Sequence, residues 1–253
     1  MRIVSTGMTD VGLKRGHNED NYLINEELNL FVVADGMGGH AGGEYASAIA
    51  VNTVEEVVTE LELDGPHDIA EQADPIEATS HKLSHAIRLA GRRIFDKARQ
   101  RPSYHGMGTT AVVLLVQGDC AFVAHVGDSR LYLCRDGEVE QVTEDHSLIA
   151  EKVKHGLITP EEAKNHRMRN VITRSLGYQE EVDVDLQVLP VQEGDQYLLC
   201  SDGLSGYLSA EEIGGVLVAN DTQQAARQLV MMACDRGGDD NITAVIARVD
   251  TVG

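Results

Sequence analysis

Acidic residues stand at the ends of apolar runs at five places in the chain, at four of them beside glycine. Asp35-Gly36 follows LFVVA, Gly127-Asp128 follows AFVAHV, Asp202-Gly203 follows YLLCS, Asp239-Asp240-Asn241 precedes ITAVIARV, and Glu19-Asp20 precedes NYLI. One such aspartate is ordinarily a turn or helix-capping residue. Five in one chain suggest more, because strand ends in a single sandwich can converge on one rim. Converging carboxylates repel: two unit charges ~4 Å apart cost about 4 kcal/mol at an effective dielectric of ~20. Such a cluster needs a counter-charge, and oxygen-only donors suit hard cations such as Mg²⁺ or Mn²⁺. A glycine carbonyl serves the same purpose, since no side chain crowds an ion there. No histidine and cysteine spacing of the zinc type is present.

Divalent ions held this way would activate water at neutral pH and clamp a displacement at phosphorus. They would also reverse the local field in a chain with 41 acidic and 21 basic residues and a formal net charge of −20. That charge otherwise repels phosphate, nucleic acid and anionic membrane at long range. An arginine that grips phosphoryl oxygens would complete the site, and Arg15, just upstream of Glu19-Asp20, is the candidate. A competing reading exists. Residues Gly36 to Ala41 fit G-x-G-x-x-G/A, the dinucleotide fingerprint, which would place a pyrophosphate at the turn.

The elements decide between the two. NYLINEELNLFVVA reads as a hairpin with a polar turn near Glu26–Asn29. From Glu44 the apolar period becomes helical, through Ala46, Ile49, Ala50, Val54, Val57, Val58 and Leu61. The acidic stretch around 62–74 reads as a mobile loop, and Asp74-Pro75 as a cap opening a second helix that ends near Arg101-Pro102. TAVVLLV, CAFVAHV, LYLCR and EVEQVT are strands joined by short turns, the last a two-residue hairpin at Asp136-Gly137. Ser147–Ala163 reads as helical, broken at Gly156 and restarted at Thr159-Pro160. VDVDLQV, YLLC and NITAVIARV are strands, the first with one wet face, and two helices opened by Ser209 and by Asp221 or Thr222 lie between the last two. Strands joined by short turns must be antiparallel. The order therefore argues for an α+β sandwich with helices layered on antiparallel sheets. It argues against the parallel sheet that a dinucleotide-binding oxidoreductase requires.

The chain has 253 residues, 42% of them apolar, enough for a full core. Cys120, Cys134, Cys200 and Cys234 make no C-x-x-C pair and read as buried free thiols in a reducing compartment. No apolar run approaches the ~18 residues of a membrane span, and MRIVSTGMTDVG lacks the apolar core of a signal peptide. The expectation is a soluble cytoplasmic protein.

Eight motifs occur in one order: RGHNED at 15–20, VVADGMGGHAGG at 32–43, GMGTTAVV at 106–113, HVGDSRLYL at 125–133, TEDHS at 143–147, ITRSLG at 172–177, LLCSDGL at 198–204 and GGDDNITAVI at 237–246. In these the chain resembles the bacterial metal-dependent protein serine/threonine phosphatases of the PPM, or type 2C, family, over nearly its whole length. The resemblance implies a four-layer α/β/β/α sandwich, two antiparallel sheets flanked by antiparallel helix pairs, as a single domain over residues 1–253. It implies two core Mn²⁺ or Mg²⁺ ions and a third, weaker site. By position Asp35 bridges two metals and the Gly36 carbonyl binds one. Asp202 and Asp240 hold the metal that Asp35 shares, Glu19 acts through water with Asp20 behind it, and Asp128 joins Asp202 at the third site. Arg15 binds the substrate phosphate. His40 is the choice of general acid for the leaving serine or threonine oxygen, with metal-bound water as the alternative; His146 reads as a loop anchor and Asp239 as a solvated turn acid. The resemblance further implies that water activated by the metals would attack phosphorus directly, with no phosphoenzyme.

Residues 147–170 correspond to the family's flap, either a solvated helical hairpin or a lid that contacts the phosphoprotein, and HRMRN is its most basic piece. The expected partners are phosphorylated proteins, including a Ser/Thr kinase, with no nucleic acid, no membrane and a monomeric chain. The alternative function is a non-catalytic phosphoprotein-binding scaffold on the same fold.

Overall fold

The computed structural model describes residues 1–38, 41–63, 74–164 and 166–251. His40 and most of the acidic loop near 62–74 lie outside the described residues. The strands, in chain order, are β1 (Arg2–Asp10), β2 (Asp20–Asn25), β3 (Leu30–Met37), β4 (Gly108–Thr109), β5 (Ala111–Gln117) and β6 (Cys120–Val126). They continue with β7 (Arg130–Arg135), β8 (Glu138–Gln141), β9 (Asp185–Pro190), β10 (Gln196–Cys200) and β11 (Ile242–Thr251). The helices are α1 (Ala41–Leu63), α2 (Pro75–Gln100), α3 (Leu148–Lys154), α4 (Pro160–Lys164), α5 (Asp202–Ser205), α6 (Ala210–Ala219) and α7 (Thr222–Asp235).

Two antiparallel sheets form. One has the order β1-β11-β10-β7-β8; the other runs β2-β3-β5-β6-β9, with β4 beside β3. The central strands are apolar without interruption because both of their faces are covered, and their alternation sorts the side chains. Leu30, Val32, Ala34, Ala111, Val113 and Leu115 face α1 and α2. Phe31, Val33, Val112, Leu114, Leu131, Tyr197, Leu199, Val245 and Ala247 meet between the sheets. Leu198, Cys200, Ala244 and Ile246 face α6 and α7. Three apolar layers between four structural layers make the expected sandwich. The antiparallel sheets leave no βαβ crossover for a dinucleotide, and that reading falls.

Local chemistry sets the joints. Asp136 and Gly137 both hold positive φ, 53° and 85°, as a two-residue hairpin of the I′ type requires. Asp74 caps α2 by accepting from Ile76 N at 3.1 Å, and Ser209 with Glu212 forms a reciprocal capping box on α6.

Three details differ from expectation. β1 was not read from the sequence. The strand expected from Val182 begins only at Asp185, because its partner β6 ends at Val126 and Gly127, at φ 106°, turns away. The cysteines are free, but only Cys134 and Cys200 are buried; Cys120 and Cys234 are half-buried. Among the described residues, no helix is long and apolar enough to cross a membrane.

Candidate metal centre

The antiparallel order brings one end of many strands to a single rim: the starts of β2, β7 and β11 and the ends of β3, β6 and β10. Asp20 and Asp35 are register partners across β2 and β3, so their side chains stand on one face as nearest neighbours. Asp202 opens α5 directly after β10, Asp240 precedes β11, and Asp128 sits in the turn from β6 to β7. Five of the predicted carboxylates thus come from separate segments to one place.

Their electrostatics are those of a crowded, dry cluster. Burial first, then Asp20, Asp202, Asp128 and Asp240, push the Asp35 carboxyl well above the usual range. Asp20 is raised to about 7 by burial, against hydrogen bonds from Thr243 and Ser201, with Asp202 and Asp240 adding repulsion. Asp128 is raised to about 7 by burial and then by Asp202 and Asp145. Asp202 is raised by burial and by Asp240. Asp20 Oδ1 and Asp202 Oδ1 are buried and receive no hydrogen bond from the described residues. Buried carboxylate oxygens without donors, in a set of mutually repelling acids, fit a site that a cation would satisfy. The donors are all oxygen, which fits Mg²⁺ or Mn²⁺.

Arg15 stands beside the cluster. Its Nη2 is 2.6 Å from Asp240 Oδ2, and it feels Glu19 and Asp35 as well. Burial lowers its pKa, but Asp240 outweighs that and the guanidinium is held charged. Glu19 is fixed through its backbone: its N–H donates to Asn241 Oδ1 at 2.8 Å, and its carbonyl accepts from Gly36 N at 3.2 Å and Ser47 Oγ at 2.6 Å. Gly36 must be glycine because a Cβ would come within 2.2 Å of the Gly43 carbonyl oxygen and 2.5 Å of that of Glu19. Its residue type therefore follows from backbone crossing, whatever its carbonyl binds.

Several supporting residues were not singled out from the sequence. Asp20 Oδ2 accepts from Ser201 Oγ at 2.8 Å and Thr243 Oγ1 at 2.6 Å. Thr243 continues to Thr9, and Thr9 to Asn18, at 2.7 and 2.8 Å. Thr110 accepts from the Asp35 backbone N–H at 3.0 Å and meets Ser129 Oγ at 2.7 Å, linking the Asp35 strand to the Asp128 turn. Asn241 donates to the carbonyls of Val11 and His17 at 3.0 and 2.9 Å, which fastens the Arg15 loop. Asp239 is exposed and also pairs with Lys14 at 2.6 Å and accepts from Tyr207 at 2.5 Å; Lys14 first and Tyr207 next hold its carboxyl below the usual range.

A second cluster, His125, His146 and Asp185, has ligand-type atoms within 4.8 Å of one another. It is not arranged for an ion. The imidazole rings stack, with centroids 4.7 Å apart and planes at 16°, so their in-plane lone pairs cannot meet at one point. Arg174 already donates to Asp185 Oδ1 at 2.5 Å, His125 Nε2 faces the Glu144 carbonyl at 2.8 Å, and His146 Nδ1 accepts from Gly127 N at 3.1 Å. The cluster ties the Asp128 turn to the neck of the flap, which closes through Leu148 N to Val171 O and Thr173 N to His146 O, both at 2.8 Å.

Residues 14–238 match the family model described as Protein phosphatase 2C. The serine/threonine protein phosphatase PstP of Mycobacterium tuberculosis is 38% identical over 242 residues, 95% of this chain and 44% of that protein, so the chain spans under half of that relative's length. Protein phosphatase PhpP of Streptococcus pneumoniae is 35% identical over 247 residues, 96% of each chain. A crystal structure of the M. tuberculosis phosphatase PstP/Ppp superposes with a TM-score of 0.88 at 35% identity, covering 99% of this chain and 100% of that one. The PstP catalytic domain in complex with 2 manganese ions gives 0.84 at 36% identity, covering 98% and 99%. The order of motifs, the four layers and these matches agree, and the chain belongs to the protein phosphatase 2C family of serine/threonine protein phosphatases.

Proposed function

We propose that the cleft hydrolyses phosphoserine and phosphothreonine in proteins, with Mn²⁺ or Mg²⁺ bound to the carboxylate cluster. The observation that carries this is the convergence of Asp20, Asp35, Asp128, Asp202 and Asp240 beside Arg15, with two buried carboxylate oxygens lacking donors. Asp35, Asp202, Asp240 and the Gly36 carbonyl would hold two core ions, with Glu19 acting through water and Asp20 behind it. Asp128 with Asp202 would hold a third, weaker one. When bound, such ions supply Lewis-acid activation of water and of phosphoryl oxygens. The chain's own residues do the rest. Arg15, anchored by one Nη on Asp240, keeps other guanidinium donors for phosphoryl oxygens. Asn241 sets both the Arg15 loop and Glu19 against β11. His40 remains our choice for protonating the leaving alkoxide.

Residues 1–253 act in this reading as one domain, supported by the apolar layer that the two sheets share. The substrates are phosphoproteins, as the named phosphatases similar to this chain suggest, and this reading includes a bacterial Ser/Thr kinase among them. In this reading the protein is monomeric and cytoplasmic, and its net charge of −20 opposes association with nucleic acid or anionic membrane.

The test is phosphate release from a phosphothreonine peptide with Mn²⁺ and with excess EDTA, alongside Asp35→Ala and Asp202→Ala. Turnover that requires the metal and drops by at least ~10²-fold in both variants is expected. A folded, Mn²⁺-loaded wild type without turnover would sink the catalytic reading and favour the binding scaffold.

A further inference from the structure

The cleft edge carries charged side chains that hydrolysis of a phosphate ester does not itself need. Two consecutive cations, Lys14 and Arg15, lie against two consecutive carboxylates, Asp239 and Asp240, each pair at 2.6 Å. The backbone locks the two loops in this alignment. Leu13 N donates to Gly238 O at 2.7 Å, and Gly12, at φ 77°, passes so close that a Cβ would fall 2.2 Å from the Asp240 carbonyl oxygen. Arg169 of the flap adds its positive charge to Asp239 and to Tyr207, whose hydroxyl donates to Asp239. The positive charge of Arg169 thus acts on the same pad as Lys14.

We propose that Lys14 and Arg169 form a specificity subsite for an anionic group, a carboxylate or a second phosphoryl group, within two residues of the phosphorylated side chain. Asp239 occupies this subsite in the absence of substrate. The inference rests on the phosphatase reading and deepens it. Three physical points support it. First, the Lys14 and Asp239 side chains are 67% and 50% exposed, and an ion pair this open is held weakly enough for a substrate anion to exchange into it. Second, Lys14 is the chain neighbour of the residue assigned to the scissile phosphate, and consecutive residues advance only ~3.8 Å, the scale of one or two residues of a bound peptide. Third, a chain of net charge −20 opposes any acidic segment at long range. Positive side chains gathered at the cleft edge would replace that repulsion by local attraction, where screening over ~8 Å leaves only near charges effective.

The experiment uses Mn²⁺-loaded wild type, Lys14→Ala, Arg169→Ala and Asp239→Asn. The substrates are phosphothreonine peptides with Glu or Gln two residues from the phosphate, a doubly phosphorylated peptide, and p-nitrophenyl phosphate, which is too small to reach Lys14. The wild type should show a lower KM for the Glu or doubly phosphorylated peptide than for the Gln peptide, and whichever is lower identifies the anion. Lys14→Ala and Arg169→Ala should each raise that KM about threefold, with kcat, the Gln peptide and the small ester unchanged. Asp239→Asn should lower it, an effect that loss of a merely structural ion pair would not produce. Equal KM values for all peptides in the wild type would overturn the proposal. So would losses in Lys14→Ala that are the same for Gln and Glu peptides, or an Asp239→Asn variant with unchanged or raised KM for the anionic peptides. A wild type inactive even on p-nitrophenyl phosphate would instead overturn the phosphatase reading itself.

Discussion

Asn241 holds the cleft's loops together with one side chain. Its Oδ1 accepts from Glu19 N, and its Nδ2 donates to the carbonyls of Val11 and His17. Removing the amide leaves those three backbone groups without that partner, each worth ~1–3 kcal/mol where water cannot replace it. Asn241→Ala is therefore expected to lose about 2–4 kcal/mol of stability in urea titration. Its turnover of a phosphopeptide at a temperature where it is folded should fall by ~10²-fold, because Arg15 and Glu19 lose their tether. Full activity in the folded variant would show that the loop is held by other means. The acids of this site were legible before the fold because a carboxylate at the end of an apolar run, ordinary when single, recurs five times in one chain. Ser201, Thr243, Thr9 and Thr110 were not. A hydroxyl at a strand end is compatible with packing, capping or solvent, and only the pairing of β1 with β11 shows that Thr9 meets Thr243, 234 residues away.

At the scale of elements, what could be read depended on how local the cause is. Asp74, Ser209 and Asp221 were legible as helix starts because capping is settled within three residues of chain. The same local logic yields a prediction remote from the cleft. Ser209→Ala removes the side-chain acceptor for Glu212 N and should cost about 1 kcal/mol. This would be seen as a lowered urea midpoint with unchanged slope, with kcat and KM for a phosphopeptide unaltered; changed kinetics would mean that α6 communicates with the cleft. β1 escaped reading for the opposite reason. It is an edge strand whose one partner in its sheet among the described residues is β11, and it is half-buried along most of its length, so it shows neither a continuous apolar run nor a clean alternation. The flap lies between these cases. Ser147 caps α3 as its sequence suggests, and Gly156 breaks the pattern at φ 67°, but the closure of its neck beside the Asp128 turn depends on backbone bonds between distant segments.

For the whole molecule, the carboxylate cluster couples folding, pH and metal. In the metal-free protein, Asp20 and Asp128 titrate at about 7, and Asp35 and Asp202 are also raised, with burial as the largest cause in each. A raised carboxyl pKa means that the folded state binds the proton more tightly than the unfolded chain, whose aspartates titrate near ~3.9. The stabilisation this gives is fully present below the unfolded value and is lost as pH rises through the folded value. Without metal, the protein should therefore melt at a lower temperature at pH 8 than at pH 6.5. That window avoids most of the opposite contribution of His125 and His146, whose imidazoles burial keeps neutral to lower pH. A divalent ion held by the cluster would reverse the trend, because it would bind the deprotonated carboxylates and compete with their protons. The increase in melting temperature on adding Mn²⁺ should be larger at pH 8 than at pH 6.5. Asp20→Asn, which keeps an oxygen to accept from Ser201 and Thr243, should melt higher than wild type in EDTA at pH 8 and depend less on pH. These melts report on the cluster without any substrate. A metal-free protein as stable at pH 8 as at pH 6.5, with the same Mn²⁺ shift at both, would mean that the carboxylates are neither crowded nor dry and that the rim is not built around a cation.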